Sequence, residues 1–335
     1  MAIPAILETQ VITSVVRKYT FPESFLSDRL DWLFPEVPVE GDHAALDVIE
    51  TTSEVPTFVG RGSSSKMRGM SGRSQILVRM PYIKESIFIS ADEANNLRKV
   101  GTTSRATRAI DVLGDELAIT ARRIHAAKEL AIWRALSTNF QLVINDVLTT
   151  IESPYPADNT PDVSATAPWS TSSTDIRGQL RDWTQVAVKA TGLTPDTIFL
   201  NGNTWGYVLG NALAQKFLAG TERGAQLIEG LESYRLFGKT WIVWDFYYTD
   251  PWDGVSKPYI PDNMIIMVPS TSDWSEFQVG EVAYINDDGK EAIDHGPRSY
   301  TVLEKDPVGY TVHTVWCGLP VVKKPEAVII ATVAS

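Results

Sequence analysis

The chain has 335 residues, of which 44% are hydrophobic, and its formal net charge is −11. This length supports a sizeable core and predicts two domains. The acidic balance argues against a free DNA-binding regulator, because such proteins usually present a basic surface. It is compatible with a container whose inner wall does not hold nucleic acid tightly. The single cysteine, Cys317, follows Trp316 in an apolar stretch, so we expect a buried structural thiol rather than a disulfide or a cysteine-based zinc site.

The first 42 residues predict an extended N-terminal arm with short helices. Residues 25–34 have apolar side chains at helical spacing and end at Pro35, which cannot continue a helix. The N-terminus has no cationic start, and Glu8 interrupts its apolar residues, so no signal peptide is expected. No apolar run reaches the roughly 18 residues that a membrane span needs, and we therefore expect a soluble protein with no membrane partner.

The charge changes sign between residues 19–54 and residues 55–84. The first stretch holds nine acids and one Arg, whereas the second holds six basic residues and no acid. Strand-like sequences at 44–50 and 75–80 flank a Gly- and Ser-rich tip, which predicts a projecting hairpin. The basic candidates for contact with a neighbouring subunit are Arg61, Lys66, Arg68, Arg73 and Arg79. The candidate acceptors in the acidic flank are Glu36, Glu40, Asp42, Glu50 and Glu54.

Two other interpretations of the basic segment stay open, a solvated loop and a nucleic-acid site. The segment has no aromatic residue between Gly60 and Pro81, so bases could not stack there. Ser65 precedes Lys66 where a phosphate-binding P-loop requires Gly. An arm that interlocks subunits is the favoured interpretation.

The strongest helical signal covers about residues 104–137. Apolar residues such as Ile110, Leu117 and Ile124 recur at spacings of seven, with others between them at three and four. At 1.5 Å per residue this helix would be roughly 50 Å long, which is typical of a strut rather than of an ordinary globular helix. Charged residues fill the other positions, Glu129 among them. The candidate site residues assigned to this spine helix are Asp115, Glu116, Arg122 and Arg123.

The second half of the chain mixes helices and strands. Asn145-Asp146 separates two short apolar runs and predicts a hairpin, and residues 152–170 have the composition of a linker. Helices are predicted at 175–190, 204–210 and 224–234. Strands are predicted at 197–200, 241–244, 264–268, 310–316 and 327–331.

Sequence patterns give no catalytic, metal or cofactor site. The four histidines are far apart, and we expect an ordinary loop hydrogen bond at Asp294-His295. Asp287-Asp288-Gly289 predicts a hairpin turn, because a calcium loop needs further acids at fixed positions. The aromatic residues of 241–252 are expected in the core and at a protein interface.

The order of arm, basic hairpin, strut helix, mixed domain and terminal strands resembles the lambda-type major capsid proteins of tailed phages. Three short motifs carry the resemblance: the acidic-aliphatic segment 115–119, Ile260-Pro261-Asp262-Asn263-Met264 before an aliphatic strand, and the C-terminal signature that runs from Asp306-Pro307 to Pro325-Glu326. The resemblance implies an α+β chain with the Hong Kong 97 phage capsid fold. The implied parts are an N-terminal arm (1–42), a peripheral domain with the spine helix (43–52 and 86–171), an extended loop (53–85), an inserted axial domain (172–305) and C-terminal strands that return to the peripheral domain (306–335).

The implied function is a shell of hexamers and pentamers that surrounds double-stranded DNA without sequence-specific contacts. The resemblance implies portal and scaffolding proteins as partners, is compatible with a decoration protein, and places assembly in the host cytoplasm. No crosslinking lysine is assigned. Two alternatives come from other classes: an encapsulin-like nanocompartment, which has the same fold, and an unrelated soluble enzyme, which would need a catalytic cluster that the sequence does not show.

Overall fold

The computed structural model describes residues 9–18, 32–41, 43–49, 73–90, 105–137, 140–144, 147–151, 155–218, 233–250, 253–286 and 288–335. These residues combine helices with two five-stranded sheets and four two-stranded ribbons. The predicted α+β class is confirmed.

The first sheet is organised around one long strand, β17 (Val308–Val322). The first half of β17 pairs antiparallel with β16 (Arg298–Lys305) on one side and with β4 (Tyr82–Ser90) on the other. Its second half pairs with β13 (Ser275–Val279), which in turn pairs in parallel with β1 (Glu36–Pro38). Because β17 changes partners along its length, it connects all the strands of this sheet.

The second sheet has the order β18-β12-β7-β9-β8. Its strands are β7 (Pro195–Leu200), β8 (Ser233–Leu236), β9 (Lys239–Val243), β12 (Met264–Pro269) and β18 (Ile329–Thr332). The strand β12 is a continuous apolar run, and β7 and β9 end in the apolar runs 198–200 and 241–243. Such runs are typical of strands covered on both faces. Four ribbons pair separately: β2 (His43–Ile49) with β3 (Arg73–Arg79), β5 (Phe140–Ile144) with β6 (Val147–Ile151), β10 (Tyr247–Thr249) with β11 (Ser256–Pro258), and β14 (Glu281–Ile285) with β15 (Glu291–His295).

The helices of the described residues are α1 (Thr9–Lys18), α2 (Arg105–Ala135), α3 (Ile176–Thr191), α4 (Gly202–Gly210) and α5 (Ala212–Leu218). The helix α3 has clear ends: the Asp175 side chain accepts from the Gly178 amide at 2.9 Å, and Gly192 follows in the left-handed conformation (φ 73°). Its buried stripe, Ile176, Leu180, Trp183 and Ala187, packs in one core with the second sheet.

The larger core joins both sheets through the C-terminal half of α2. Trp133 of this helix meets Phe199 of β7 edge to face, with ring centroids 5.3 Å apart, and lies in the same cluster as Phe277 of β13 and Trp316 of β17. The strut helix is therefore packed at one end between the two sheets, which fixes its direction relative to both.

Most predicted elements are confirmed, with small shifts at their ends. The spine helix spans Arg105–Ala135, and the predicted strands at 44–50 and 75–80 pair as the β2–β3 hairpin. The two runs that flank Asn145-Asp146 pair as predicted, and the turn before Gly289 (φ 74°) and the buried Cys317 are also found.

Several sequence predictions are wrong in detail. Ser233 and Tyr234 lie in β8 rather than in a helix, while residues 219–232 fall outside the described residues, as do residues 25–31 of the predicted arm helix. Residues 32–34 form a turn, and the helix α5 was not predicted. Asp294 and His295 end a strand rather than lie in a loop.

The predicted linker is a packed segment. It buries Tyr155, Asn159 and Trp169, and the Asn159 amide donates to the carbonyls of Glu326 at 2.7 Å and of Val328 at 2.9 Å. The composition of Pro, Ser and Thr residues predicts irregular backbone correctly, but it gives no information about burial.

Strand pairing also does not follow the predicted division of residues 172–335. The strand β18 belongs to the second sheet, whereas it was expected to return to the peripheral domain. Conversely, β13 and β16 were assigned to the axial domain and pair with β17 in the first sheet. The division into a peripheral and an axial domain stays a prediction, and its boundaries must be consistent with these strand pairings.

Candidate subunit interface

The exposed side of the strut helix carries the four predicted charged residues. Asp115, Glu116, Arg122 and Arg123 are all exposed, and Ile119, with half of its surface accessible, lies between them. Their spacing of three and four places them on one stripe of the helix. This stripe is a candidate contact surface, because it combines both signs of charge with an exposed aliphatic side chain.

Two ion pairs attach the strut helix to the first sheet. The Arg123 Nε lies 3.0 Å from a Glu85 carboxylate oxygen on β4, and the Lys128 Nζ lies 2.6 Å from Glu36 on β1. The Lys128 ammonium also lies 5.1 Å from the centroid of the Phe277 ring. Glu36 was predicted as an acceptor for a neighbour's basic arm, and the structure shows that it has a partner within its own chain.

The N-terminal helix α1 packs against the strut helix and against β16. The sequence predicted short helices in this arm, but none was assigned to residues 9–18. Ile12 and Val16 are buried in a cluster with Leu117 and Ala121 of α2. Their i, i+4 spacing is the signal that could have revealed the helix. The N-terminal arm is therefore anchored over residues 9–18.

Hydrogen bonds fix the position of α1 on β16. Thr13 Oγ1 donates to the Ser299 carbonyl at 3.0 Å and accepts from the Ser299 amide at 3.1 Å. The Arg17 guanidinium donates to the carbonyls of His295 (2.7 Å) and Pro297 (3.1 Å) and lies 3.7 Å from Asp294. The arm helix thus bridges the strut helix and the end of β15.

A cavity of about 460 Å³ lies where α1, the strut helix, β1 and β15 come together. Its polar lining includes Arg17, Glu36, His125, Lys128 and His295. Burial, together with the nearby Lys128 ammonium, lowers the pKa of His125 to about 4, and the opposing effect of Glu36 is smaller. The His125 imidazole is therefore neutral near pH 7.

The β2–β3 hairpin is the described part of the predicted intersubunit arm. Its register runs from His43 opposite Arg79 to Ile49 opposite Arg73, and the Arg79 side chain is exposed. The basic residues Arg61, Lys66 and Arg68 lie outside the described residues. Lys84, which the sequence grouped with them, lies instead in β4, opposite Val315 in the first sheet.

The acidic flank is described only in part. Glu40 is exposed in the turn before β2. Asp42, Glu50 and Glu54 lie outside the described residues, so a contact between the arm and this flank stays a prediction.

A buried carboxylate links the strut helix to the segment that follows β9. Glu129 is only 1% exposed, and its Oε1 accepts from the Trp244 indole at 3.0 Å and from the Trp133 indole at 3.4 Å. Trp241 and Trp244 are core residues, as predicted, whereas Tyr247 is 56% exposed. Helical periodicity placed Glu129 with the polar residues, because its two indole partners are not visible as a sequence pattern.

The chemistry of the described residues is that of packing and ion pairing. Across the described ranges, no three potential metal-ligating side chains come together. None of the helices in that part of the chain is long and apolar enough to cross a bilayer.

A family model described as phage major capsid protein E matches residues 8–333. The chain belongs to this family. The match includes the arm helix, the strut helix and the strands of both sheets. The predicted resemblance is therefore confirmed, and the molecule is a shell-forming capsid protein located in the virion. No curated protein sequence matches it.

Solved structures give the same fold. The capsid protein matches a protein assigned as the capsid protein of a prophage of Escherichia coli CFT073 with a TM-score of 0.65, at 14% identity over 98% of this chain and 99% of the other. A phage-related protein from Bordetella bronchiseptica RB50 gives 0.59, at 10% identity over 98% and 97%. The capsid of cyanophage P-SCSP1u gives 0.52, at 13% identity over 95% and 90%. The expected Hong Kong 97-like phage capsid fold is confirmed.

Proposed function

We propose that the capsid protein assembles through hexamers and pentamers into an icosahedral shell that encloses the double-stranded DNA of a tailed phage, and that it has no catalytic role. The family match over residues 8–333 is the observation that carries this proposal. It rests on membership of a shell-forming family rather than on any pocket.

The strut helix supports this proposal through its anchoring. One end is packed between the two sheets by Trp133, and Arg123 and Lys128 tie its middle to β4 and β1. At 1.5 Å per residue, its 31 residues extend roughly 46 Å. A helix of this length can carry contact surfaces that lie far apart on one subunit. Specific interfaces bury on the order of 1,200–2,000 Å², so a subunit with several neighbours needs such extended surfaces.

The basic hairpin arm is proposed to lie over an acidic surface of a neighbouring subunit. Arg73 lies opposite Ile49 at one end of the β2–β3 ribbon, and Arg79 lies at the other end, three residues before β4. In the sequence, Arg61, Lys66 and Arg68 fall between the two strands. Single exposed ion pairs contribute about 0–1 kcal/mol, so several must act together. Complementary charge then sets register and the rate of assembly more than final affinity.

Further partners are part of the same proposal. The packaged DNA contacts the inner wall without sequence specificity, which is compatible with the net charge of −11. Portal and scaffolding proteins are expected to direct assembly in the host cytoplasm, and a decoration protein could bind the outer surface.

The test is to replace Arg61, Lys66, Arg68 and Arg73 together with Glu and to compare this variant with the unaltered protein by electron microscopy and circular dichroism. We expect a folded subunit that no longer forms closed shells, because four repulsive positions replace four attractive ones. Normal shells from the variant would contradict the role of the arm. Particles from phage-producing cells that contain cargo protein and no DNA would instead support a nanocompartment.

A further inference from the structure

The β14–β15 hairpin presents an apolar face to solvent. Its register places Ala283 opposite Ile293 and Ile285 opposite Glu291. Because opposite residues of an antiparallel ribbon share a face, Ala283, Ile285 and Ile293 form one continuous patch. Ile293 is 65% exposed and Ile285 is 37% exposed. Among the described residues, no further strand pairs with this ribbon.

The other face and the base of the hairpin are held firmly by the same chain. Val282 is fully buried, and the Arg298 guanidinium lies 5.1 Å from the centroid of the Tyr284 ring. At the base, the Gly41 amide donates to the Glu281 carboxylate at 3.0 Å, and Asp294 forms an ion pair with Arg298. The apolar patch is thus fixed in place and not an incidental feature of a loose loop.

The rim of the patch is acidic. Residues 281–295 contain five acids and one Lys. Glu281 and Asp294 are engaged within the chain, whereas Asp288 at the turn and Glu291 beside Ile285 are exposed. A partner for this surface must combine apolar side chains with positive charge. The acidic rim disfavours nucleic acid and anionic lipid, since both would bring phosphate close to carboxylates.

We propose that the outward face of the β14–β15 hairpin is the docking surface for the basic arm, residues 55–79, of a second copy of this chain. The arm has five basic residues and no acid, and between them it carries the apolar residues Met67, Met70, Ile76 and Leu77. The hairpin offers the complementary pattern, an aliphatic patch beside the exposed carboxylates of Asp288 and Glu291. Glu36, in contrast, is already paired with Lys128 of its own chain. The inference rests on the proposed function, because it names the surface that receives the arm.

Reciprocal charge exchange tests this contact. The hairpin variant Asp288→Lys/Glu291→Lys and the arm variant Lys66→Glu/Arg68→Glu are each expected to raise the subunit concentration needed for shell assembly by about tenfold. Combining both pairs of substitutions in one chain restores the ion pairs with opposite polarity. The subunit concentration needed for assembly is then expected to return to within about threefold of the value for the unaltered protein. Light scattering gives the threshold, and electron microscopy identifies the shells.

Two controls separate this contact from general effects. In the first control, the arm variant is combined with Asp158→Lys/Asp182→Lys, at two exposed acids outside the hairpin. This chain has the same net charge as the combined arm and hairpin variant, but its assembly threshold should stay as high as that of the arm variant alone. Ile293→Ser should raise the threshold about tenfold, whereas Val308→Ser, at a site that is 56% exposed, should change it less than threefold. Gel filtration and circular dichroism are used to check that every variant is folded.

A hairpin variant that assembles like the unaltered protein, or a combined variant no better than the arm variant alone, would overturn the inference while leaving the proposed function intact. Failure of the unaltered protein to form any closed shell would instead count against the proposed function itself.

Discussion

The Glu129 carboxylate is expected to make a large contribution to the junction between the strut helix and the segment after β9. Replacement by Ala would leave the Trp244 indole, now 3.0 Å from Oε1, as a buried donor without this acceptor, and would remove the longer contact to Trp133. An unpaired buried donor costs about 1–3 kcal/mol, and the cavity left by the lost side chain adds roughly 1–2 kcal/mol. The Glu129→Ala variant should therefore lose about 3–4 kcal/mol of unfolding free energy.

The matched variant is Glu129→Gln, which keeps an oxygen acceptor of nearly the same size and should stay within about 1 kcal/mol of the unaltered protein. Urea unfolding followed by circular dichroism measures the difference, at concentrations below the assembly threshold, because association adds apparent stability. If the Ala and Gln variants had equal stability within about 0.5 kcal/mol, the indole bonds would not hold this junction together.

Three further predictions concern pH and packing. The pKa of His125 is about 4 in the folded protein, whereas its ordinary value is 6.5, so the unfolded chain binds the proton more readily. The free energy of unfolding should therefore fall by about 3 kcal/mol as the pH drops from about 6.5 to about 4. Thr13→Val should cost about 1–3 kcal/mol, because the buried Ser299 amide loses its acceptor. Gly309→Ala should prevent normal pairing of β17 with β4, because a Cβ there would lie 2.5 Å from the Ile89 carbonyl oxygen.

Each of these predictions has its own control. A His125→Gln variant should show a flatter pH dependence of unfolding free energy, and an unchanged slope would mean that other groups cause the effect. Thr13→Ser keeps the hydroxyl and should retain most of the stability, so equal losses for Val and Ser would exclude the hydrogen bond as the cause. A Gly309→Ala protein that unfolds like the unaltered chain would show that β4 can shift without cost.

Periodicity and turn chemistry predicted the elements whose stability depends on local pattern. The strut helix follows from its repeat of apolar residues, and the β5–β6 ribbon follows from Asn145-Asp146 between two apolar runs. The strand β17 was predicted only over residues 310–316, and the Gly318 and Pro320 that follow are residue types that usually weaken or end strands. It continues to Val322 because it finds a new partner in β13, with Pro320 opposite Phe277.

The contacts that make up the candidate interface could not be predicted from local pattern. Glu36 and Lys128 are 92 residues apart, and nothing in either neighbourhood indicates the other. The alternation in β15 predicts that Ile293 and Asp294 face opposite sides, but not which side meets solvent. Charge and apolar pattern predicted the arm, whereas the surface proposed to receive it depends on the β14–β15 pairing and on side-chain exposure, which local pattern does not give.

The most direct test of the central claim is a cryo-electron microscopy reconstruction of particles assembled from the purified chain, alone and with a candidate scaffolding protein. We expect closed shells of uniform diameter with icosahedral symmetry, in which this fold is repeated around five-fold and six-fold positions. A protein that stays a monodisperse monomer under all these conditions, or that forms only open and irregular aggregates, would contradict it.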